Sequence, residues 1–325
     1  MAHQRNQPSM GDSLKTPHSV SLKVLRLSRP SLATQYQLPH SQDLGISPKA
    51  SLAYSSQDDT NSQFLLSPVL NLPEAFGSAY VGETFSCTLC ANNELDLSDT
   101  SRAVSGVRIQ GDMQTPTNPA GAPLVLMEAP DNKEEIVSPA PGESLQRILR
   151  FELKEEGNHV LAVTVTYTET ALGEGKAASG RVRTFRKLYQ FVAQQLLSVR
   201  TKAGELTRQS GPPRYLLEAQ LENMGEAAVC LEAVNVNPKP ALRSTSLNWD
   251  AYAPGGTDLA PILSPSDVFQ VAFILDQENG TEQLDFEDAG SVADNKRLLG
   301  QLVIQWRGAL GDRGSLSTGW LTCRR

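Results

Sequence analysis

The sequence of 325 residues is long enough for two domains that each bury a core, and too long for one ordinary β-sandwich. Its 29 lysines and arginines are outnumbered by 36 acidic residues, giving a net charge of −7, which argues against a nucleic-acid-binding protein with a basic face. The sequence contains no run of about 18 apolar residues, which argues against a transmembrane helix.

The N-terminal part of the chain combines predicted strands with polar stretches. Residues 1–18 are polar, so we predict that they are disordered. They also lack the apolar segment of a secretory signal. Residues 20–27 form the first predicted strand. A polar loop rich in Ser, Gln and Asp follows at residues 40–63, and an apolar strand at residues 64–72 comes after it.

Further strands are predicted at residues 84–92 and 104–113, ahead of the most regular stretch, residues 143–167. Residues 155–158 (Glu-Glu-Gly-Asn) predict a tight turn there, so we expect a central hairpin. Apolar and polar side chains alternate after the turn, which indicates a strand because successive side chains leave opposite faces. One face carries His159, Leu161, Val163, Val165 and Tyr167, and the other carries Val160, Ala162, Thr164 and Thr166.

Residues 182–192 close the first predicted domain as an edge strand in which basic and aromatic residues mix. The basic residues are Arg183, Arg186 and Lys187, and the aromatic ones are Phe185, Tyr189 and Phe191. This mixture is compatible with nucleic-acid binding. We favour an edge strand protected by charge, which is also a strand that can pair with a partner subunit.

The second half of the chain repeats the hydrophobic pattern of the first. The parallels are residues 215–223 with 84–92, 229–236 with 104–110, 267–275 with 144–153, and 300–306 with 157–163. A weak internal repeat of this kind predicts two similar units in tandem.

The fold class that these patterns predict is all-β: two tandem immunoglobulin-like β-sandwich domains with long polar loops. After the disordered residues 1–18, we place the first domain at residues 19–194, with the polar insertion at 40–63, and the second at residues 195–325. Two further polar loops fall at residues 239–265 and 277–296. The paired cysteines and strand tryptophan of antibody domains are absent, so the prediction concerns architecture only.

The four cysteines, Cys87, Cys90, Cys230 and Cys323, lack the paired spacing of a zinc site. In the strand at residues 84–92, side chains three residues apart leave opposite faces, so Cys87 and Cys90 are poorly placed to share a metal. We therefore predict reduced, mostly buried thiols in a cytosolic protein.

Other candidates for chemistry have simpler structural interpretations. His159 is predicted to be a half-buried strand residue, and the acidic side chains near it (Glu152, Glu155 and Glu156) to be solvated. Residues 172–180 lack the spacing of a phosphate-binding loop, and residues 311–315 predict a hairpin turn. Trp306 and Trp320 predict a cross-strand pair. We predict no catalytic, cofactor-binding or metal-binding residue and no cofactor.

Several segments resemble a known family. They are residues 21–30 (SLKVLRLSRP), 70–85 (LNLPEAFGSAYVGETF), 151–167, 184–191, 216–223 and the terminal stretch LGQLVIQWRGALGDRGSLST. Together they resemble subunit thirteen of the TRAPP complex, the transport protein particle, which is a multisubunit vesicle tether. Residues 70–85 form the most specific block. Family members continue into a further β domain, so we expect this chain, which ends at Arg325, to lack that domain.

The resemblance implies a non-catalytic scaffold or adaptor subunit, not an enzyme. Its partners would be the other TRAPP subunits and, indirectly, a Rab GTPase that the complex activates by nucleotide exchange in ER–Golgi trafficking. It also implies a cytoplasmic protein held peripherally at Golgi and early secretory membranes. Two alternatives remain from the residues alone: an independent β-sandwich module that binds peptide or carbohydrate, and an enzyme with a titratable cleft.

Overall fold

The computed structural model describes residues 17–32, 70–73, 76–77, 79–128, 138–172, 179–207, 211–249, 260–277 and 296–324. These residues form strands, turns and irregular connections and contain no helix, so the prediction of an all-β protein is confirmed. No helix in the described ranges is long and apolar enough to span a membrane. Residues 1–16 and 40–63, and most of the loops at 172–180 and 277–296, lie outside the described residues.

Eleven strands make up the first unit. They are β1 (Val20–Arg26), β2 (Ser31–Leu32), β3 (Leu70–Asn71), β4 (Ala79–Tyr80), β5 (Thr84–Asn93), β6 (Arg102–Gln114), β7 (Ala122–Pro123), β8 (Leu126–Glu128), β9 (Ser144–Glu152), β10 (Gly157–Ala171) and β11 (Ser179–Gln194). One sheet has the order β1-β5-β9-β8, the other β4-β11-β10-β6-β7, and β2 pairs with β3 alone. Side chains from both large sheets fill one core.

Nine strands make up the second unit. They are β12 (Leu197–Leu206), β13 (Arg214–Asn223), β14 (Val229–Pro238), β15 (Leu242–Ser246), β16 (Ile262–Leu263), β17 (Val268–Gln277), β18 (Lys296–Gly308), β19 (Arg313–Ser317) and β20 (Leu321–Arg324). The sheets are β12-β13-β17-β15 and β16-β14-β18-β19, with β20 also paired to β18. The predicted polar loop at 239–265 thus contains two short strands, β15 and β16.

Alternation along β10 sets which side chains enter the first core. The five residues that were predicted to share the face of His159 and Tyr167 are all fully buried. His159 is therefore more deeply buried than the half-buried position that we predicted for it. The side chains between them lie on the outer face, where Thr164 and Thr166 are half-buried. This pattern follows because neighbouring side chains of a strand point to opposite sides of the sheet.

The connection between β9 and β10 is not the predicted hairpin. β9 pairs with β5 and β8, whereas β10 pairs with β6 and β11, so the two strands lie in opposite sheets. The Leu153 N–H still donates to the Glu83 carbonyl at 2.9 Å in the first sheet, and Gly157 (φ +117°) begins β10 in the second. Periodicity identifies the buried face but not the neighbouring strand, so one sequence pattern fits both arrangements.

The two units share a strand order. Along the first sheets, β1, β5, β9 and β8 correspond to β12, β13, β17 and β15. Along the second sheets, the neighbours β6, β10 and β11 correspond to β14, β18 and β19. This correspondence agrees with the parallels between the two halves of the sequence.

A pair of matching turns repeats this correspondence at the level of atoms. Residues 140–143 and 264–267 precede β9 and β17, each with proline second and a positive φ third, as in a type II turn. In each turn the fourth N–H donates to the first carbonyl, at 2.9 and 3.0 Å. The fourth side chain, Glu143 or Asp267, accepts the first N–H at 2.8 Å. The third residues are Gly142 (φ 82°) and Ser266 (φ 67°).

Each of these turns is hydrogen-bonded to a buried asparagine at the end of a strand. Asn93 ends β5 and Asn223 ends β13, and both side chains are almost fully buried. Their amide groups donate to backbone carbonyls across the chain, Asn93 to Pro139 and Asn223 to Leu263, each at 2.9 Å. The backbone carbonyls of the same asparagines accept the N–H of the third turn residue, at 2.9 and 2.8 Å. Buried amides are satisfied in this way in both units.

Candidate functional site

The first candidate is the joint where the two units touch. Tyr80, at the end of β4 in the first unit, is 1% exposed, and its ring packs in the core of the second unit. Two residues later, the Gly82 carbonyl accepts the Ser315 N–H at 2.9 Å. Glu83 forms an isolated antiparallel bridge with Gly314 of β19. The segment at residues 80–83 therefore belongs to both units.

Glycine at position 82 follows from this close approach. Gly82 has φ +91°, and a Cβ there would lie 2.4 Å from the Ser315 carbonyl oxygen and 2.6 Å from Trp306. Gly314 faces the same indole, since its Cβ would lie 2.4 Å from Trp306 Cε2. The two glycines thus leave room for one buried tryptophan, whose Nε1 has no hydrogen-bond partner among the described residues.

A cluster of charges surrounds this contact. The Arg29 guanidinium donates to both carboxylate oxygens of Glu83, at 3.0 and 3.2 Å, and lies 4.6 Å from the centre of the Tyr80 ring. The Arg29 N–H donates to Asp312 of the second unit at 3.3 Å. Burial raises the pKa of Glu83, and the nearby Arg29 charge opposes that rise. Burial likewise lowers the pKa of Arg26 beside them.

A cleft of about 330 Å³ lies beside the joint. Apolar side chains of both units line it, and Lys154 and Glu156 contribute the charged part of its wall. The apolar lining consists of Val81, Leu196, Leu197, Val199, Trp306 and Leu316. The cleft lies between the two units, where the first unit ends and the second begins.

The second candidate is the edge strand β11. It pairs with β10 from Ser179 to Ala193, and on its other side β4 pairs with Ala193 and Gln194 alone within the described residues. Among the described residues, β11 is thus an edge strand over most of its length, as predicted. Arg183 pairs with Glu169 at 2.7 Å and Arg186 with Asp112 at 3.6 Å.

Side chains of β11 and of the segment before β4 fill part of the space between β11 and β1. Lys187 Nζ donates to the Leu22 carbonyl of β1 at 3.1 Å. Further along, Phe76 stacks on Phe85 and Phe191, with ring centres 5.6 and 5.9 Å apart. Phe76 lies in the block of residues 70–85 on which the family resemblance mainly depends, and so do Tyr80, Gly82 and Glu83 of the joint. The sequence marks that block only by its resemblance, and the structure shows that it joins the two units.

The structure does not bring the predicted candidates for chemistry together. His159 is fully buried, stacks on Phe191 at 5.5 Å and has Nδ1 3.0 Å from the Gly157 carbonyl. Its Nε2 has no partner in the described part of the chain. Glu155 instead accepts the Thr117 N–H at 3.0 Å, and Glu152 lies 3.4 Å from Lys154.

The cysteines are also separate. No disulfide bond joins any of the four, and burial raises the pKa of Cys87 to about 12, so this thiol is neutral at physiological pH. Within the described ranges no group of three or more His, Cys, Asp or Glu residues is placed to hold a metal ion.

The predicted pairing of Trp306 with Trp320 is wrong. Trp306 lies opposite Gly314, whereas Trp320 comes after β19 ends and is about half exposed. Lys239 Nζ sits 4.0 Å from the centre of the Trp320 ring. The hairpin at residues 311–315 is present between β18 and β19, as predicted, but it is shorter than a Trp306–Trp320 pair requires.

Comparisons with known proteins give one consistent result. A family model described as "Trafficking protein particle complex subunit 13, N-terminal" matches residues 18–193, and the model of the middle domain of the same subunit matches residues 197–325. A "Probable trafficking protein particle complex subunit 13 homolog" from Drosophila melanogaster is 28% identical over 314 residues, covering 94% of this chain and 64% of that protein.

Vertebrate relatives agree. "Trafficking protein particle complex subunit 13" of Xenopus laevis is 27% identical and covers 97% of this chain and 70% of its own length. The protein of the same name from Pongo abelii is 26% identical and covers 94% and 70%. The chain thus spans about two thirds of the length of these relatives. A crystal structure of a protein of unknown function from Porphyromonas gingivalis W83 aligns with a TM-score of 0.22 and 9% identity over 77% of this chain and 96% of that one, which supports no argument about the fold.

Proposed function

Because the chain belongs to the family of trafficking protein particle complex subunit 13, we propose that it is a non-catalytic scaffold or adaptor subunit of a TRAPP-type vesicle-tethering complex. The observation that carries this proposal is the match of two consecutive domain models across residues 18–193 and 197–325. The open strand β11 and the cleft at the joint are surfaces of the kind through which such a subunit contacts its neighbours.

In this proposal the chain consists of two tandem immunoglobulin-like β-sandwich domains, residues 19–194 and 195–325. The shared strand order, the matching turns at residues 140–143 and 264–267, and the buried asparagines at the ends of β5 and β13 support it. Each core is filled by two facing sheets, which is the arrangement of a sandwich.

The setting that we propose is the cytoplasmic surface of Golgi and early secretory membranes. There the assembled complex acts on a Rab GTPase, and nucleotide exchange falls to other subunits. This chain contributes surface and spacing, with no catalytic residue of its own. The joint suits that task, since Tyr80, Gly82 and Glu83 link the two units by packing and by backbone contacts.

Reconstitution tests the proposal. Tagged recombinant chain is mixed with the TRAPP complex purified from source cells whose own copy of this gene has been deleted, and the mixture is separated by size-exclusion chromatography. We expect the chain to co-elute with the complex, and the isolated chain to leave the rate of nucleotide release from a Rab GTPase unchanged. Elution of the chain by itself, in the presence of an intact complex, would contradict the subunit assignment. Exchange activity of the isolated chain would contradict a non-catalytic role.

A further inference from the structure

β11 is the longest strand in the described part of the chain, with 16 residues, and most of its outer edge pairs with no described strand. Its register with β10 is continuous, without a bulge. The other long edges are shorter: β1 has 7 residues and β12 has 10. Residues 179–192 therefore present a long, regular row of backbone N–H and C=O groups that no described strand pairs with. Such an edge is a template for one more strand.

The side chains of β11 make this edge selective. The strand carries four basic residues and no acidic one, in a chain whose net charge is −7. The basic residues are Arg181, Arg183, Arg186 and Lys187. Glu169 of β10 pairs with Arg183 and Asp112 of β6 pairs with Arg186, which leaves an excess of positive charge along the edge.

Exposed apolar side chains share the outer face of the sheet with Arg186, whereas Arg181, Arg183 and Lys187 alternate onto the opposite face. Val182 is 67% exposed, Leu188 59% and Val192 46%. A strand laid along the edge would cover part of this apolar surface, in addition to forming backbone hydrogen bonds. In strand addition, the backbone supplies affinity and the alternating side chains supply specificity.

We propose that the open edge of β11 binds an extended, acidic segment of another protein as an additional strand. The inference rests on the proposed function, since the protein that supplies this segment is then another subunit of the tethering complex. Charge complementarity favours an acidic strand, because opposite charges on paired strands attract while like charges repel.

The same charges disfavour a second copy of this chain as the occupant. A two-fold antiparallel pairing of β11 centred on Thr184 would set Arg181 of one copy opposite Lys187 of the other. Like charges that face each other across a strand pair are destabilising. The basic residues therefore discourage self-association while leaving the edge available to an acidic strand, which is a form of selection by repulsion.

The first test reverses charge at two positions. In the reconstitution above, Arg181→Glu/Arg186→Glu is compared with the matched variant Arg200→Glu/Lys202→Glu on the other long edge, β12. Each variant changes one ion-paired arginine and one other basic residue, because Arg200 pairs with Glu222 at 3.1 Å. We expect the β11 variant to bind the complex about tenfold or more weakly, and the β12 variant to bind as the unchanged chain does.

The outcomes separate the two proposals. If the unchanged chain fails to bind, the subunit assignment fails. If it binds and the β11 variant binds equally well, the strand-addition inference fails and the subunit assignment stands. The neutral variant Arg181→Gln/Arg186→Gln replaces the charge-reversed one if circular dichroism shows that the latter is unfolded. Weakening of the unchanged chain's binding as salt rises from about 50 to 300 mM is expected from the same attraction.

The second test identifies the occupant directly. A photo-crosslinking amino acid is placed at Leu188 on β11, or at Val125, which is 88% exposed and serves as the control. After illumination of the assembled complex, the crosslinked peptides are identified by mass spectrometry. We expect Leu188 to give one continuous segment of another subunit with net negative charge, and Val125 not to give it. Crosslinks from Leu188 to a second copy, to residues 33–69 of the same chain, or to a basic segment would overturn the proposal.

Discussion

Ser266 adopts a positive φ of 67° at the turn position that Gly142 occupies, at 82°, in the first unit. Both positions are exposed, and a Cβ at Gly142 would meet nothing within 4 Å. The two sites therefore differ mainly in residue type. Left-handed backbone costs an L-residue about 1–2 kcal/mol, while glycine adopts it freely at the expense of greater entropy when unfolded.

We expect Ser266→Gly to stabilise the protein by roughly 0.5–1 kcal/mol and the reciprocal Gly142→Ser to destabilise it by about 1 kcal/mol. Urea denaturation followed by fluorescence measures both free energies of unfolding. The reciprocal pair is its own control, because each change moves one turn toward the sequence of the other. A loss of stability in Ser266→Gly would show that the serine makes a contribution that outweighs its backbone strain.

His159 illustrates a buried polar atom without a partner. Its ring lies between Phe191, stacked at 5.5 Å, and Phe151, edge-on at 6.4 Å, while Nε2 finds no partner among the described residues. Leaving a buried polar group unsatisfied costs about 1–3 kcal/mol. An aromatic hydrocarbon ring would keep the packing and remove that cost.

Accordingly, His159→Phe is expected to leave the free energy of unfolding within about 1 kcal/mol of its original value, or to increase it, whereas His159→Ala should lower it by about 3–5 kcal/mol through the cavity left behind. Thermal denaturation of the two variants measures the difference between them. If phenylalanine were as damaging as alanine, the Nδ1 contact with the Gly157 carbonyl would have to be the main contribution of this side chain.

At the scale of strands, the sequence predicted burial far better than pairing. The inner face of β10, the charged edge β11 and the turn before β19 all follow from local pattern, because alternation and turn chemistry act between close neighbours in the chain. The β9–β10 connection and the Trp306–Trp320 pair were predicted wrongly, because each depends on which strands lie side by side. That choice is made by packing between distant segments.

The joint could not be predicted for the same reason. Glu83 binds Arg29, 54 residues earlier, and Arg29 in turn contacts Asp312, 283 residues later. Nothing in the spacing of these three residues indicates a charge cluster. Only the family resemblance of the block at 70–85 marked the place, and it gave no structural reason.

At the scale of the whole molecule, the joint makes the two units depend on each other. Tyr80 completes the second core, and the backbones meet at Gly82 and Ser315. An alanine methyl group at position 82 would overlap Ser315 and Trp306 and hold a positive φ. It should therefore separate the units.

We expect Gly82→Ala to lower the free energy of unfolding by about 2–4 kcal/mol and to split one calorimetric transition into two. Gly319→Ala is the matched control, since a Cβ at that position meets nothing within 4 Å. Differential scanning calorimetry of both variants makes the comparison. A single transition for Gly82→Ala at the same temperature as the control would mean that the joint does not couple the units.

The placement of Tyr80 has a practical consequence for anyone who wishes to excise half of this polypeptide. A fragment that starts at Leu197 would leave behind the phenol ring that fills its interior, and removing a large buried aromatic group costs about 3–5 kcal/mol. A cut between residue 193, where the first family model ends, and residue 197, where the second begins, therefore gives a fragment with a cavity in its core. The fragment would need residues 79–83 supplied again, grafted through a tether or added as a free peptide.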